Sequence, residues 1–193
     1  MKPPRLRVVG GSVGGRRLVA PAGTSTRPTK DRVKESLFAA LGDARVAGAV
    51  VLDLYAGSGA LAIEALSRGA ARAVLVDHDR AAVAAVERNL AATGFTERAR
   101  VQRGTAESVT RRPPPAEAPF DLVFLDPPYG QPPAELEAVL AGLAQRGWLA
   151  ARATVVVERG GREAAGPAWP EGWAGMWERA YGDTLVSVAE TDQ

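Results

Sequence analysis

Asp126-Pro127-Pro128-Tyr129 is the stretch of this chain whose residue types most directly indicate chemistry. It follows the apolar run 120–125, which predicts a buried strand. The prolines fix φ, remove two backbone donors and keep the chain extended, which leaves the carbonyl of Pro127 without a helical partner. An acidic side chain, a carbonyl and an aromatic ring suit a planar base with an exocyclic amine, because the two acceptors take the two amine hydrogens while the base stacks on the ring. The plainer interpretation is a strand that ends in a Pro-Pro-Tyr turn.

A glycine-rich turn follows the predicted strand Val50–Leu54 and supplies a second candidate site. Its glycines permit φ > 0 and a close approach of the backbone to a ligand. Gly57-x-Gly59-x-x-Ala62 fits the dinucleotide fingerprint, so the turn by itself leaves NAD and S-adenosylmethionine (SAM) as alternatives. Asp53 favours SAM, because a carboxylate can hold its cationic amino-acid end but is poorly placed beside a pyrophosphate. The candidate cofactor residues here are Asp53, Tyr55, Ala56, Gly57, Ser58 and Gly59.

Two more strand ends contribute candidates, since ligands of open α/β sheets lie at the carboxyl ends of the strands. Asp77, followed by His78, ends the predicted strand 73–76, where an acid can accept hydrogen bonds from ribose hydroxyls. Thr105 and Ala106 follow a short third strand, where an acidic or amide side chain usually contacts the adenine amine in this fold. Thr105 offers only a hydroxyl, which makes it the weakest member of the set.

Strands alternate with helices along most of the chain, which predicts an α/β fold with a doubly wound, mostly parallel sheet. A closing antiparallel hairpin is expected around Gly182-Asp183. We expect a basic RNA-binding hairpin in residues 1–28 and a catalytic domain in residues 29–193. The predicted helices span about 31–41, 60–68, 80–93 and 134–145, and the predicted strands span about 50–54, 73–76, 120–125, 154–158, 177–181 and 184–189, with one more near 101.

Basic residues concentrate at the N-terminus, although the net charge of the 193-residue chain is only +2. Residues 1–34 hold nine lysines and arginines against one aspartate, a net charge of +8 that leaves −6 for the rest. A basic segment on a mildly acidic body is typical of nucleic-acid binding, although a solvated tail has the same composition. Glycine pairs at 10–11 and 14–15 separate short apolar pieces, which favours a hairpin over a tail.

The composition also narrows the classes of site. The absence of cysteine excludes a disulfide scaffold and a thiolate metal site. The single histidine, His78, argues against a His-rich metal site and a Ser-His-Asp triad, so we expect no metal. The sequence has no recognisable signal peptide or long apolar run, which predicts a cytoplasmic protein without a membrane span. We expect a monomer.

These patterns resemble the Rossmann-like SAM-dependent methyltransferases that modify exocyclic amines. More closely, they resemble the bacterial RsmD family, which methylates a guanine N2 of 16S ribosomal RNA. The glycine turn is shared by many methyltransferases, whereas the Arg-Pro-Thr segment and the arginine-bearing hairpin are more specific to this family. The matching patterns cover most of the chain and are Arg7–Gly11 with Gly15–Leu18, Thr26–Glu35 with Leu37-Phe38, Asp53–Leu61 with Glu64–Gly69, Asp126–Tyr129, and Tyr181–Thr184.

The resemblance implies roles for the candidate residues. Asp126 and the carbonyl of Pro127 would accept the hydrogens of the guanine amine, and Tyr129 would stack on the base. The resemblance also implies which residues bind each part of SAM. Asp53, Gly57 and Gly59 would bind the methionine end, Asp77 the ribose, and Thr105 and Ala106 the adenine. The implied partner is 16S rRNA, free or within a 30S subunit or assembly intermediate. The residues expected to bind its phosphates are Arg5, Arg7, Arg16, Arg17, Arg27, Lys30, Arg32 and Lys34.

Four other functions stay open at the sequence level. A small-molecule methyltransferase is the first, although it would not need an N-terminal segment with a net charge of +8. A DNA adenine-N6 or cytosine-N4 methyltransferase uses the same chemistry and the same four-residue motif, but this chain has no obvious target-recognition domain. Protein-glutamine methyltransferases typically carry Asn where Asp126 stands. The non-enzyme alternative is an RNA-binding ribosome-assembly factor with a vestigial cofactor site.

Overall fold

The computed structural model describes residues 6–22, 29–160 and 165–192, with the side chains of residues 29 and 30 left undescribed. The strands in these ranges are β1 Val50–Leu54, β2 Arg72–Asp77, β3 Ala99–Arg103, β4 Phe120–Leu125, β5 Leu149–Gly160, β6 Trp173–Tyr181 and β7 Thr184–Thr191. The α-helices there are α1 Thr29–Leu41, α2 Asp43–Val46, α3 Ala60–Ser67, α4 Arg80–Thr93, α5 Ala106–Thr110 and α6 Pro133–Gln145. Together they form an α/β fold.

Across the described residues, seven strands form one sheet in the order β3-β2-β1-β4-β5-β7-β6. The first five strands pair in parallel, whereas β7 is antiparallel to both of its neighbours. After β3 the chain returns to place β4 beside β1, so the strand order reverses between β1 and β4. Such a reversal opens a crevice at the carboxyl ends of the strands, where α/β proteins bind ligands. The predicted fold class is confirmed.

Both faces of the sheet are covered, which explains why the central strands read as continuous apolar runs. Leu37 of α1, Ile63 of α3 and Leu90 of α4 belong to the core cluster on one face. Val109 of α5 and Leu140 of α6 belong to the cluster on the other face. The helices therefore lie on the sheet as a doubly wound fold requires.

The largest differences between the observed and the predicted elements concern β5, β6 and two short helices. β5 begins at Leu149 rather than at residue 154, because a register shift against β4 and the positive φ of Arg152 interrupt its alternation. β6 begins at Trp173 rather than at residue 177. The short helices α2 and α5 were not predicted, since four or five residues are too few to show a helical period.

The N-terminal segment forms the expected hairpin, held by one antiparallel bridge between Arg7 and Arg17. The backbone N–H of Val8 donates to the carbonyl of Arg16 at 2.9 Å, and that of Leu18 donates to Leu6 at the same distance. Val8 and Leu18 are buried in the same core cluster as α1 and α3. We call residues 6–22 the arm; it packs on the body of the protein instead of extending from it.

Two side chains of α3 hold the arm. Glu64 is fully buried and accepts backbone N–H groups from Val9 at 2.6 Å and Gly10 at 2.8 Å. Ser67 accepts the N–H of Val13 at 3.1 Å and donates to the carbonyl of Gly10 at 2.6 Å. At Gly11 a Cβ would overlap the backbone of Ser67, and φ is +78°, so only glycine fits there. The arm thus lies against the helix that follows the glycine-rich turn.

The longest helix that the structure describes is α4, with 14 residues. None of the helices in the described ranges is long and apolar enough to cross a membrane.

Candidate active site

Three carboxylates from neighbouring strands line one cleft at the carboxyl edge of the sheet: Asp53, Asp126 and Glu158. The register of the parallel strands explains why they meet. Phe124 of β4 lies level with Asp53 of β1 and Val156 of β5. Because strand side chains alternate, Asp126 and Glu158, each two residues further on, return to the same face. We call this space the first cleft.

The glycine-rich turn forms the wall of the first cleft beside α3. The backbone has positive φ at Tyr55, Gly57 and Gly59, with values of 83°, 56° and 76°. Gly59 in the left-handed conformation is the N-cap of α3. Asp53 is only 2% exposed, and its Oδ2 accepts the N–H of Ala62 in the first turn of α3 at 3.3 Å. A buried carboxylate and a helix N-terminus therefore face the same space.

A second cleft adjoins the first, with Tyr55 lining both. Asp77 lies in its wall and organises the turn, since its Oδ2 accepts the N–H of Gly57 at 2.8 Å and its Oδ1 that of Asp79 at 2.9 Å. The side chain of His78 is 66% exposed at the rim. The other lining residues are Val76, Gly104, Thr105, Ala106, Glu107, Pro128, Gln131 and Glu135.

Two polar side chains of the second cleft hold Tyr55 at the junction of the clefts. Its hydroxyl donates to Glu107 at 3.2 Å and accepts a hydrogen bond from Gln131 at 2.8 Å. Burial raises the pKa of Tyr55, so the hydroxyl stays protonated and remains a donor at neutral pH. Thr105 also lines this cleft, and its Oγ1 accepts the N–H of Ser108 at 3.2 Å and caps α5. The carboxylate of Glu107 lies where we expected a contact with adenine.

The four residues after β4 bridge the two clefts. Asp126 lines the first cleft, and Pro128 lines the second. Tyr129 is 52% exposed, and its hydroxyl donates to Asp183 at 3.1 Å. Its ring packs on Gly160, where a Cβ would overlap the ring. The acceptor Asp126 therefore opens into the first cleft, whereas Pro127 and Tyr129 line a separate small hollow with Pro128 and Gly160.

The residues along the two clefts suit the chemical groups of SAM in the order in which those groups follow one another in the molecule. The N–H groups of α3 and the carboxylate of Asp53 suit an amino-acid group with both charges. Asp77 and Glu107 offer acceptors further along for hydroxyls and an exocyclic amine. A pyrophosphate in the first cleft would instead meet the negative charges of Asp53, Asp126 and Glu158, which argues against NAD.

The family model described as conserved hypothetical protein 95 matches residues 6–190. The chain belongs to this family. Ribosomal RNA small subunit methyltransferase D of Escherichia coli K12 is 39% identical over 188 residues, 97% of this chain and 91% of that protein. YlbH of Bacillus subtilis, named provisionally as an rRNA methyltransferase, is 47% identical over 135 residues, 70% of this chain and 72% of that protein. The solved structure of yhhF from Escherichia coli has a TM-score of 0.83 and 37% identity, covering 97% of this chain and 98% of that chain.

These similarities confirm the resemblance to the RsmD family that the motifs indicated. They also confirm the Rossmann-like methyltransferase fold, since the strand order agrees with a doubly wound sheet closed by an antiparallel hairpin. The individual site residues remain predictions that rest on the geometry described above.

Lys34 lies inside this RsmD-family protein rather than on an exposed surface, which corrects its predicted role on rRNA phosphates. The residue is only 4% exposed, and its Nζ donates to the carbonyl of Arg7 at 2.5 Å. Burial lowers the pKa of Lys34, while the charges of Glu64 and Asp31 raise it. The ammonium ties α1 to the arm and lines the first cleft. Its ammonium therefore serves contacts within the protein and at the first cleft rather than on the outer surface.

The other predicted RNA-binding residues fall into two groups. Arg7, Arg16, Arg17 and Arg32 are exposed, and Arg7 pairs with Asp31 at 3.0 Å. Arg5, Arg27 and the side chain of Lys30 lie outside the described part of the structure. Phosphate binding by the exposed arginines stays a prediction.

Sequence reasoning missed several residues of the site. Glu158 ends the predicted fifth strand, so the rule that carboxyl ends of parallel strands meet could have found it. Glu107 stands two residues after Thr105, so its position after β3 carried the same signal. Gln131 and the arm residue Leu6 carry no local signal, since only tertiary contacts bring them to the clefts.

Proposed function

We propose that this protein transfers a methyl group from SAM to the exocyclic N2 of a guanine in 16S rRNA. The protein is a SAM-dependent rRNA methyltransferase of the RsmD family. The single observation that carries the finer proposal is the position of Asp126: its side chain opens into the same cleft as Asp53 and the glycine-rich turn. That arrangement brings a carboxylate acceptor next to the cofactor end of the site.

The cofactor supplies an electrophilic methyl group on a sulfonium sulfur. The protein has to supply a nucleophile, and guanine N2 is a poor one because its lone pair is delocalised into the ring. Asp126 and the carbonyl of Pro127 hold the two amine hydrogens, which favours a pyramidal nitrogen and aims its lone pair along one direction. As the N–C bond forms and the S–C bond breaks, one N2 proton leaves to Asp126 or to water.

Positioning supplies much of the rate acceleration. A well-oriented reaction between two bound groups reaches effective molarities of about 10⁵ M or more. A base in folded RNA first has to leave its stack, at a cost of a few kcal/mol. Stacking on the exposed ring of Tyr129 returns about 1–3 kcal/mol of that cost.

Replacement of the proposed acceptor tests the proposal directly. We expect Asp126→Ala to abolish methyl transfer to 30S subunits that lack guanine-N2 methylation, with SAM affinity by calorimetry within about threefold of wild type. The measurement is transfer of a radiolabelled methyl group, with digestion of the product to locate the label at guanine N2. The matched control is Asp192→Ala, because Asp192 is exposed at the end of the closing hairpin.

Free 16S rRNA and total DNA are tested beside the 30S subunits. Full activity of Asp126→Ala contradicts the assigned role of Asp126. Label on DNA alone supports the DNA amine methyltransferase alternative instead. If wild type binds SAM but labels none of the substrates, the proposed reaction is wrong and the assembly-factor alternative gains support.

A further inference from the structure

Glu158 is a buried carboxylate in the first cleft for which methyl transfer itself provides no use. It is 9% exposed and lines the cleft together with Asp126. Leu125 pairs with Val157, so Asp126 and Glu158 occupy the next positions along two adjacent parallel strands. Neighbouring strands are about 4.8 Å apart, which brings the two carboxylates side by side. The two carboxylates open into the same cleft, so one ligand can donate hydrogen bonds to both.

Two adjacent acceptors match one feature of guanine. The Watson–Crick edge of guanine presents two neighbouring donor groups, N1–H and the N2 amine. Adenine and cytosine present an amine beside a ring nitrogen that has a lone pair and no hydrogen. A carboxylate opposite that ring nitrogen accepts a hydrogen bond from guanine N1–H and repels the lone pair of adenine N1 or cytosine N3. Asp126 alone does not make this distinction, since every one of these bases carries an exocyclic amine.

We propose that Glu158 accepts the N1–H of the target guanine and is a specificity-determining residue of this enzyme. The assignment rests on the proposed function, because it requires N2 of the base to lie at Asp126. With N2 at Asp126, the neighbouring N1 faces the next strand of the sheet, which is β5. The two carboxylates then accept hydrogen bonds from the two neighbouring donors of guanine, N1–H and the N2 amine. Bases that have an amine but lack N1–H are rejected.

A base analogue tests recognition of N1–H separately from methyl transfer to N2. 2-Aminopurine keeps the amine at C2 but has a lone pair on N1 in place of N1–H. RNA fragments that carry guanine, 2-aminopurine or inosine at the methylated position are assembled into 30S particles, and kcat/KM is measured for each. We expect wild type to prefer guanine over 2-aminopurine by about 10- to 100-fold or more. Inosine lacks the amine and should accept no methyl group from any variant.

Glu158→Gln should reduce the preference for guanine over 2-aminopurine by about tenfold, because the amide can donate to a ring nitrogen. Glu158→Asp keeps the charge but shortens the reach, so it should lower activity on guanine without gaining activity on 2-aminopurine. Affinity for sinefungin, a SAM analogue, should stay within about threefold of wild type in both variants and shows that the cofactor site is folded. Glu117→Gln is the matched control, since Glu117 lies before β4, at the opposite edge of the sheet.

The outcomes are distinguishable. If Glu158→Gln binds sinefungin, methylates guanine and keeps the wild-type preference, the role of Glu158 is wrong while the proposed function stands. If Glu158→Asp gains activity on 2-aminopurine, charge at this position does not exclude the lone pair, and the role is likewise overturned. If wild type methylates inosine or leaves guanine unmodified, the proposed function fails and the role of Glu158 fails with it.

Discussion

Tyr129 illustrates how single residues of this site depend on partners far away in the sequence. Its hydroxyl donates to Asp183 in the turn between β6 and β7, and its ring packs on Gly160 at the end of β5. A tyrosine that is half exposed would otherwise sample several rotamers. The contacts restrict the ring to one orientation, so stacking on a base loses less side-chain entropy.

Three variants measure this restriction. Tyr129→Ala should lower kcat/KM for methyl transfer by roughly 5- to 150-fold, the equivalent of one base stack. Tyr129→Phe and Asp183→Ala should each lower it by about 2- to 10-fold, because each removes the same hydrogen bond. In a double-mutant cycle, the double variant Tyr129→Phe/Asp183→Ala should have about the same kcat/KM as either single variant. Additive losses would show that the hydrogen bond does not orient the ring.

At the scale of secondary-structure elements, α3 connects the cofactor turn to the arm. Its N-cap is Gly59 of the turn, and its buried Glu64 accepts two backbone N–H groups of the arm as well as Arg68 at 2.8 Å. Asn89 of α4 makes a second connection, since its side chain bonds both the N–H and the carbonyl of Val19 and also the carbonyl of Ser58. The arm and the cofactor turn are therefore held by the same two helices.

Glu64→Gln tests whether α3 holds the arm. The amide has one acceptor instead of two and turns an NH2 group toward backbone donors, so we expect a loss of about 1–3 kcal/mol in unfolding free energy. Hydrogen exchange at Val9 and Gly10 should accelerate more than exchange in β1. The exposed glutamate Glu87 of α4 provides the control variant, Glu87→Gln, which should leave both quantities unchanged. Uniform acceleration across β1 and the arm would mean that Glu64 stabilises the whole fold rather than the docking of the arm.

At the scale of the whole molecule, the charge is divided between a basic N-terminal region and an acidic remainder. Residues 1–34 carry +8 and the rest −6. The arm is docked, so its exposed arginines Arg16 and Arg17 have fixed positions on the surface of the folded protein. A basic surface with a fixed position orients a polyanion, whereas a loose tail only attracts one.

The salt dependence of RNA binding measures that surface. Arg16→Ala/Arg17→Ala should weaken binding to 30S subunits and flatten the slope of log Kobs against log[salt] by about 1–2, because two phosphate contacts are lost. SAM affinity should not change. Arg111→Ala/Arg112→Ala is the matched control, another adjacent pair of exposed arginines at the end of α5. An unchanged slope in the arm variant, or an equal change in the control, would show that Arg16 and Arg17 do not contact the RNA.

Features that depend on neighbours along the chain could be predicted from the amino-acid sequence. The apolar runs at 50–54 and 120–125 identified buried strands, the glycines at 57 and 59 identified the positive-φ turn, and the Asp-Pro-Pro-Tyr segment identified the end of β4. Each of these follows from steric or periodic rules that act within a few residues.

Features that depend on strand order and on long-range packing became visible in the folded chain alone. Glu158 joins Asp126 because β5 pairs with β4, and Lys34 is buried because the arm folds over α1. Thr105 caps α5, and Glu107 adds a carboxylate to the second cleft beside that of Asp77. The burial of a charged side chain is set by elements that are distant in sequence, and no local pattern records which of those elements will cover it.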